Sequence, residues 1–197
     1  MKILVLSDSH SALSFMRLCI EKVKPNAVVH LGDYYEDGKA MAEEFSYLRF
    51  YQVPGNCDKY RFGYLVPETL VQKVCGVKLF MTHGHNHRVK TTLWSLLQDA
   101  RKMEVQGVLF GHTHVAYCGQ EEDGLWVLNP GSCGYYGGSA AIMEVEDHKI
   151  IEIKYIDENT YEITSEEVYD IQWTRDYNKE VANDTSEESK EAREILG

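Results

Sequence analysis

Short unbroken apolar runs alternate with stretches of helical period along the first part of the chain. "KILVLS" (2–7) is a continuous apolar run of strand length, the pattern of a strand buried on both faces. Residues 12–23 then carry Ala12, Phe15, Met16, Cys19, Ile20 and Val23 at the three-and-four spacing of a helix, which Pro25-Asn26 stops. "AVVHL" (27–31) and "LRFYQV" (48–53) are further buried strands, with a second helix expected over 38–47. This alternation predicts an α/β sheet with parallel pairings.

After Gly63 the rhythm changes. "TLVQKVC" and "VKLFMT", separated by Gly76, predict paired strands. Residues 91–103 place Leu93, Leu96, Leu97, Ala100 and Met103 on one helical face, and "GVLF" is another buried strand. "VAYC", "LWVLN", "SAAIMEVE" and "KIIEIKYI", joined by Glu-Asp-Gly and Asp-His-Lys turns, predict a meander of mainly antiparallel strands. Two sheets packed face to face, with helices outside, accommodate all of these elements.

The 197 residues suffice for one domain with a small appendage. The formal charge of −11 divides the chain: residues 157–197 hold 13 acidic and 4 basic side chains, residues 1–156 hold 18 and 16. The expected division is a domain over 1–156 and an acidic C-terminal appendage over 157–197, either a packed arm or a loose tail. Within it, "YEITSEEVYDIQW" has aromatic and β-branched residues suited to packing. "TSEESKEAREIL" has a capping box, Thr185 with Glu188, suited to a short solvated helix. The sequence offers no dense basic patch for duplex DNA and no run near the ~20 apolar residues of a membrane span. Met1-Lys2 leads into an apolar run too short for a signal peptide. Five scattered cysteines (Cys19, Cys57, Cys75, Cys118, Cys133), without CxxC spacing, predict reduced thiols in a cytoplasm.

The chemistry lies just beyond each buried run: Asp8-Ser9-His10, Gly32-Asp33, Pro54-Gly55-Asn56-Cys57-Asp58, His83-Gly84-His85 and Gly111-His112-Thr113-His114. Alone, each has a plain explanation as a helix cap, a turn or a solvated histidine. Together they place Asp, His or Asn at five strand ends, and in open α/β sheets ligands bind outside the carboxyl ends of the strands. Imidazole, carboxylate and amide donors suit Mn²⁺, Fe, Ni²⁺ or Zn²⁺. So many side chains are more than one ion needs, and two ions sharing Asp33 fit better.

These blocks resemble the signature of the calcineurin-like metallophosphoesterase superfamily. "NPGS" (129–132) and the compact order resemble its small YfcE-like phosphodiesterase branch. The resemblance spans about residues 1–156 and implies an α/β fold, a four-layer α/β/β/α sandwich of two mixed sheets flanked by helices. By motif it implies one divalent ion on Asp8, His10, Asp33 and His114 and another on Asp33, Asn56, His83 and His112, with Mn²⁺ favoured. The implied reaction is hydrolysis of phosphodiesters by in-line attack of a metal-bridging hydroxide.

Many relatives carry a histidine where this chain has Cys57, and that histidine is thought to protonate the leaving alkoxide. A thiol donates a proton only weakly, so Asp33, Asn56, Cys57, Asp58 and His85 form the candidate catalytic set, with His85 or a metal-bound water as substitute acid. His30 is expected in the core, Asp58 to orient a neighbour, and His87 and His148 to be solvated. Lys59, Tyr60, Arg61 and Arg88 lie near the expected mouth. The expected partners are a small phosphate-ester substrate, no membrane, no strong nucleic-acid binding, and a homo-oligomer as an open option. Two alternatives stand beside the enzyme: a non-catalytic metal-binding interaction scaffold, since the fold also serves as a retromer subunit, and a nuclease on short oligonucleotides.

Overall fold

The computed structural model describes residues 1–58, 66–135, 138–157 and 163–164. The first elements are β1 (Lys2–Leu6), α1 (Leu13–Val23), β2 (Ala27–His30), α2 (Tyr35–Glu44) and β3 (Arg49–Gln52). Then come β4 (Thr69–Val74), β5 (Val77–Thr82), α3 (Trp94–Lys102) and β6 (Gly107–Leu109). Strands β7 (Ala116–Gln120), β8 (Trp126–Pro130), β9 (Ser139–Glu146), β10 (Lys149–Asp157) and β11 (Ile163–Thr164) complete the order. One sheet runs β11-β10-β9-β1-β2-β3 and the other β4-β5-β6-β8-β7.

Alternation along β1 shows why its sequence is apolar throughout. Ile3 and Val5 face the space between the sheets, where they meet Val29, Leu79, Met81, Leu109 and Leu128. Leu4 and Leu6 face the other way, onto Phe15, Met16, Cys19 and Ile20 of α1. On the far side, Phe80, Val108, Phe110 and Val127 meet Leu93, Leu96, Leu97 and Ala100 around α3. Helix, sheet, sheet and helix thus form the four layers, and both faces of each central strand are covered. Burying each large apolar side chain stabilises by roughly 1.5–3 kcal/mol. No helix among the described residues is long and apolar enough to cross a membrane.

Two expectations change. The meander expected of β7 to β10 divides between the sheets: β7-β8 and β9-β10 pair antiparallel as expected, but β8 lies parallel to β6 and β9 leaves it to lie beside β1. The physical reason is the α3 crossover, which lets β6 enter beside β5 in the same direction and leaves β7 to pair antiparallel at the edge. Second, α2 begins at Tyr35 instead of 38, because the Asp58 carboxylate caps its first amides. The first sheet also takes in a short stretch beyond residue 157, where Ile163 pairs with Ile156 and Thr164 with Tyr155. The rest of "YEITSEEVYDIQW" and the segment "TSEESKEAREIL" lie outside the described residues, as do Lys59, Tyr60 and Arg61.

The parallel sets β1-β2-β3 and β5-β6-β8 deliver six carboxyl ends to one edge. A cleft of about 600 Å³, lined by Arg101, Gln106, Trp126 and Lys149 among others, lies at the opposite ends of the strands. Among the described residues it gathers no comparable set of ligating side chains.

Candidate metal centre

Backbone contacts lock the strand-end loops together. The Asp8 amide donates to the Gly32 carbonyl (2.9 Å), the Gly111 amide to the His83 carbonyl (3.1 Å), and the His112 amide to Asp8 Oδ2 (3.0 Å). Ser132, from the loop after β8, donates its hydroxyl to the Asp8 carbonyl (2.8 Å). Gly32 (φ +96°) lies so close to the Pro54-Gly55 backbone that a Cβ would strike the Gly55 nitrogen. A Cβ on Gly55 would strike the Asp33 carboxylate. Asp8, His10, Asp33, His112 and His114 all adopt positive φ, between 42° and 68°. Such conformations cost about 1 kcal/mol or more each and gather where tertiary structure over-determines them.

All seven candidate ligands converge. Donor atoms of Asp8, His10, Asp33 and His114 lie within 4.8 Å of one another, as do those of Asp33, His83 and His112. Asn56 Oδ1 lies 3.1 Å from His83 Nε2. His83 is fully buried, and its Nδ1 contacts the Leu31 carbonyl at 2.8 Å. Because a carbonyl only accepts, Nδ1 carries a hydrogen, and in the neutral ring Nε2 then presents the lone pair. That lone pair faces Asn56 Oδ1, Asp33 Oδ1 at 3.5 Å and Asp8 Oδ1 at 3.9 Å, all acceptors. Asp8 Oδ1 lies 3.1 Å from His114 Nε2, and His10 Nε2 is buried without a hydrogen-bond partner. A buried meeting of acceptors is satisfied by cations, so the residues present fit divalent ions.

The electrostatics agree. Burial pushes His112 down to about 4, helped by His83 and Lys90, so its ring is neutral and able to ligate near pH 7. His10 is lowered by burial against the opposing pull of Asp33 and Asp8. Burial opposes ionisation of Asp8, yet His114, His83 and Ser7 hold its carboxyl below its ordinary value.

The remaining candidates separate by contact. Asp58 is buried and accepts from the amides of Gly55 (2.8 Å), Tyr34 (3.1 Å) and Tyr35 (2.9 Å), so its carboxylate ties two loops and the start of α2 together. Cys57 donates its backbone amide to Asp33 Oδ1 (2.9 Å), while its thiol is exposed. Partial burial of the sulfur, then the charge of Asp33, pushes that thiol up to about 11; a bound cation acts in the opposite sense. The His85 ring lies 5.4 Å from His83 and 6.1 Å from His112. His30 is in the core as expected, its Nε2 3.1 Å from the Ser9 hydroxyl, which also donates to Asp37 at 2.8 Å. His148 and Arg88 are exposed.

His87 corrects the expectation of a solvated ring: it is buried, packed edge-on to Phe80 and paired with Asp99 at 3.5 Å. The turn Gly84–Arg88 folds back under α3, which local sequence does not reveal. Three rim residues escaped the sequence reading. Tyr34 and Tyr135 contact the His10 ring at 5.0 and 4.6 Å, and Lys90 acts electrostatically on His112. Tyr34 follows directly on Gly32-Asp33 and Tyr135 follows "NPGSCG", which were the available signals.

The sequence pattern described as a calcineurin-like phosphoesterase superfamily domain matches residues 1–148. A probable metallophosphoesterase of Bacillus subtilis, YsnB, is 30% identical over 135 residues, 67% of this chain and 75% of that protein. A phosphodiesterase of Methanocaldococcus jannaschii is 29% identical over 173 residues, covering 78% and 98%. Among solved structures, a predicted phosphoesterase of Streptococcus pneumoniae superposes with a TM-score of 0.66 at 26% identity, covering 83% of this chain and 92% of the other. A Vps29 of Entamoeba histolytica gives 0.65 at 23% identity, covering 86% and 100%.

Proposed function

Because the chain belongs to the calcineurin-like phosphoesterase superfamily, we propose that it is a dinuclear-metal-dependent phosphodiesterase acting on small phosphate diesters by in-line displacement. Asp8, His10, Asp33 and His114 hold one divalent ion, and Asp33, Asn56, His83 and His112 hold the second. The observation that carries this reading is the convergence of Asn56 Oδ1, Asp33 Oδ1 and Asp8 Oδ1 on His83 Nε2, beside a buried His10 Nε2 without a hydrogen-bond partner. Mn²⁺ suits this mixed donor set, with Fe, Ni²⁺ and Zn²⁺ as alternatives. Such a pair, when bound, supplies Lewis-acid charge to the phosphoryl oxygens and acidifies water in the site.

The chain's own contribution is orientation. The Leu31 carbonyl keeps the proton of His83 on Nδ1, and the Cys57 amide aims Asp33 Oδ1. Asn56 sits where its amide nitrogen can donate to a phosphoryl oxygen, since its Oδ1 faces His83. Lys90 adds positive charge on the His112 side and draws in an anionic substrate. A thiol donates a proton only weakly, so His85 supplies the proton to a reluctant leaving group and good leaving groups are favoured. Five thiols without a disulfide suit a reducing cytoplasm.

The test is metal-reconstituted protein assayed on chromogenic mono- and diesters, with Asp33→Asn and His112→Ala as controls. Diester hydrolysis that both substitutions abolish is expected. No hydrolysis with any divalent ion would transfer the conclusion to a metal-binding scaffold, the reading that the structural likeness to Vps29 favours.

A further inference from the structure

Two large aromatic side chains stand exposed against one wall of the metal centre. Tyr34 is 43% exposed and Tyr135 48%. They reach the wall from distant loops, one after β2 and one after β8, and both touch His10. Tyr135 also lies nearly parallel to His114, with ring centroids 5.1 Å apart and planes at 12°. A stack of two rings is therefore begun at the metal ligands, and much of Tyr135 is left uncovered.

Tyr34 stands in a conformation that disfavours it. Its φ of 73° and ψ of 60° are left-handed, where a bulky L-residue is strained and Gly or Asn would be relaxed. The Asp58 carboxylate holds its amide in that geometry. Strain kept at a site mouth, together with exposed aromatic surface, indicates that the ring itself is used there.

On the phosphodiesterase reading above, we infer that Tyr34 and Tyr135 are specificity residues and that the preferred diester carries a flat aromatic group of nucleobase size. With its phosphate on the metal side of His10, a nucleoside ester continues the His114–Tyr135 stack outward, and Tyr34 closes on it from across His10. Base–aromatic stacking accepts any base, because every base presents a π-face. The sparse positive charge of residues 1–156 argues for a mononucleotide ester over a long strand.

Two diesters with the same leaving group test this: thymidine 5′-(p-nitrophenyl phosphate) and methyl p-nitrophenyl phosphate. The Mn²⁺-loaded protein should prefer the thymidine ester by about tenfold or more in kcat/KM. Tyr34→Ala and Tyr135→Ala should each cut that preference several-fold, mainly through KM, and Tyr34→Phe and Tyr135→Phe should keep it. A wild-type protein without the preference, or alanine variants that retain it, overturns the inference. Calorimetry with thymidine 5′-monophosphate and methyl phosphate supplies a readout independent of turnover. Failure to hydrolyse either ester sinks the phosphodiesterase reading, whereas equal binding of the two monophosphates sinks the stacking inference alone.

Discussion

One half of the candidate metal centre is anchored in the core by His83, and the other has both its histidines at the rim. His83 has no exposed surface, and its Nδ1–H is tied to the Leu31 carbonyl. His10 and His114 have side chains 13% and 21% exposed, and both rings pack against Tyr135. A hydrogen bond to a carbonyl fixes both the ring plane and the tautomer, whereas ring packing restrains the plane alone. His83 is thus the better preorganised histidine, while His112 and Asn56 of its half are open to substrate and solvent as the rim pair is.

Asp33 belongs to both halves, so its replacement should cost most. Asp33→Asn is expected to lower kcat/KM on a chromogenic diester by at least about a thousandfold, with circular dichroism unchanged. If one half kept substantial activity alone, the shared carboxylate would not be the hinge of the centre.

Acid should weaken the support beneath the rim half. Beneath the His10 loop, His30 packs on Ser9, which donates to Asp37. Asp37, Asp8 and Asp58 favour the charged form of His30, and His83 disfavours it. Burial outweighs the carboxylates and pushes His30 down from 6.5 to about 4. The unfolded chain therefore binds the extra proton between these values, and stability present above pH 6.5 is lost as pH falls towards 4. A loss of roughly 3 kcal/mol is expected from this group in denaturant titrations of the metal-stripped protein. His30→Gln should flatten the curve over that interval.

Metal titration compares the halves directly. His83→Ala should weaken the tighter of two Mn²⁺ binding steps by about a hundredfold, and His10→Ala the weaker step by about tenfold, in isothermal calorimetry. The reverse order would show that burial and the Leu31 contact do not set affinity. The smallest effect belongs to Lys90, which is exposed. Lys90→Ala should raise KM about two- to fourfold at low ionic strength and have no effect at high salt.

Much of this centre could be read before any fold was known. Asp8, His10, Asp33, Asn56, His83, His112 and His114 each follow an apolar strand-length run, and the parallel strands do bring them together. What escaped reading shares one property: partners distant along the chain. Asp58 meets Tyr34 across 24 positions, and the Ser9 hydroxyl meets Asp37 across 28. His87 was misjudged because its cover comes from Phe80 and Asp99, on two different elements.

Periodicity and strand-end chemistry, which are properties of neighbours, determined the α/β class, the position of nearly every strand and the set of candidate ligating groups. Strand direction in the second sheet, the rim of Tyr34, Tyr135 and Lys90, and the unequal support of the two halves were decided only by tertiary structure. Those features depend on which loops share an edge, and crossover connections and burial set that for the chain as a whole.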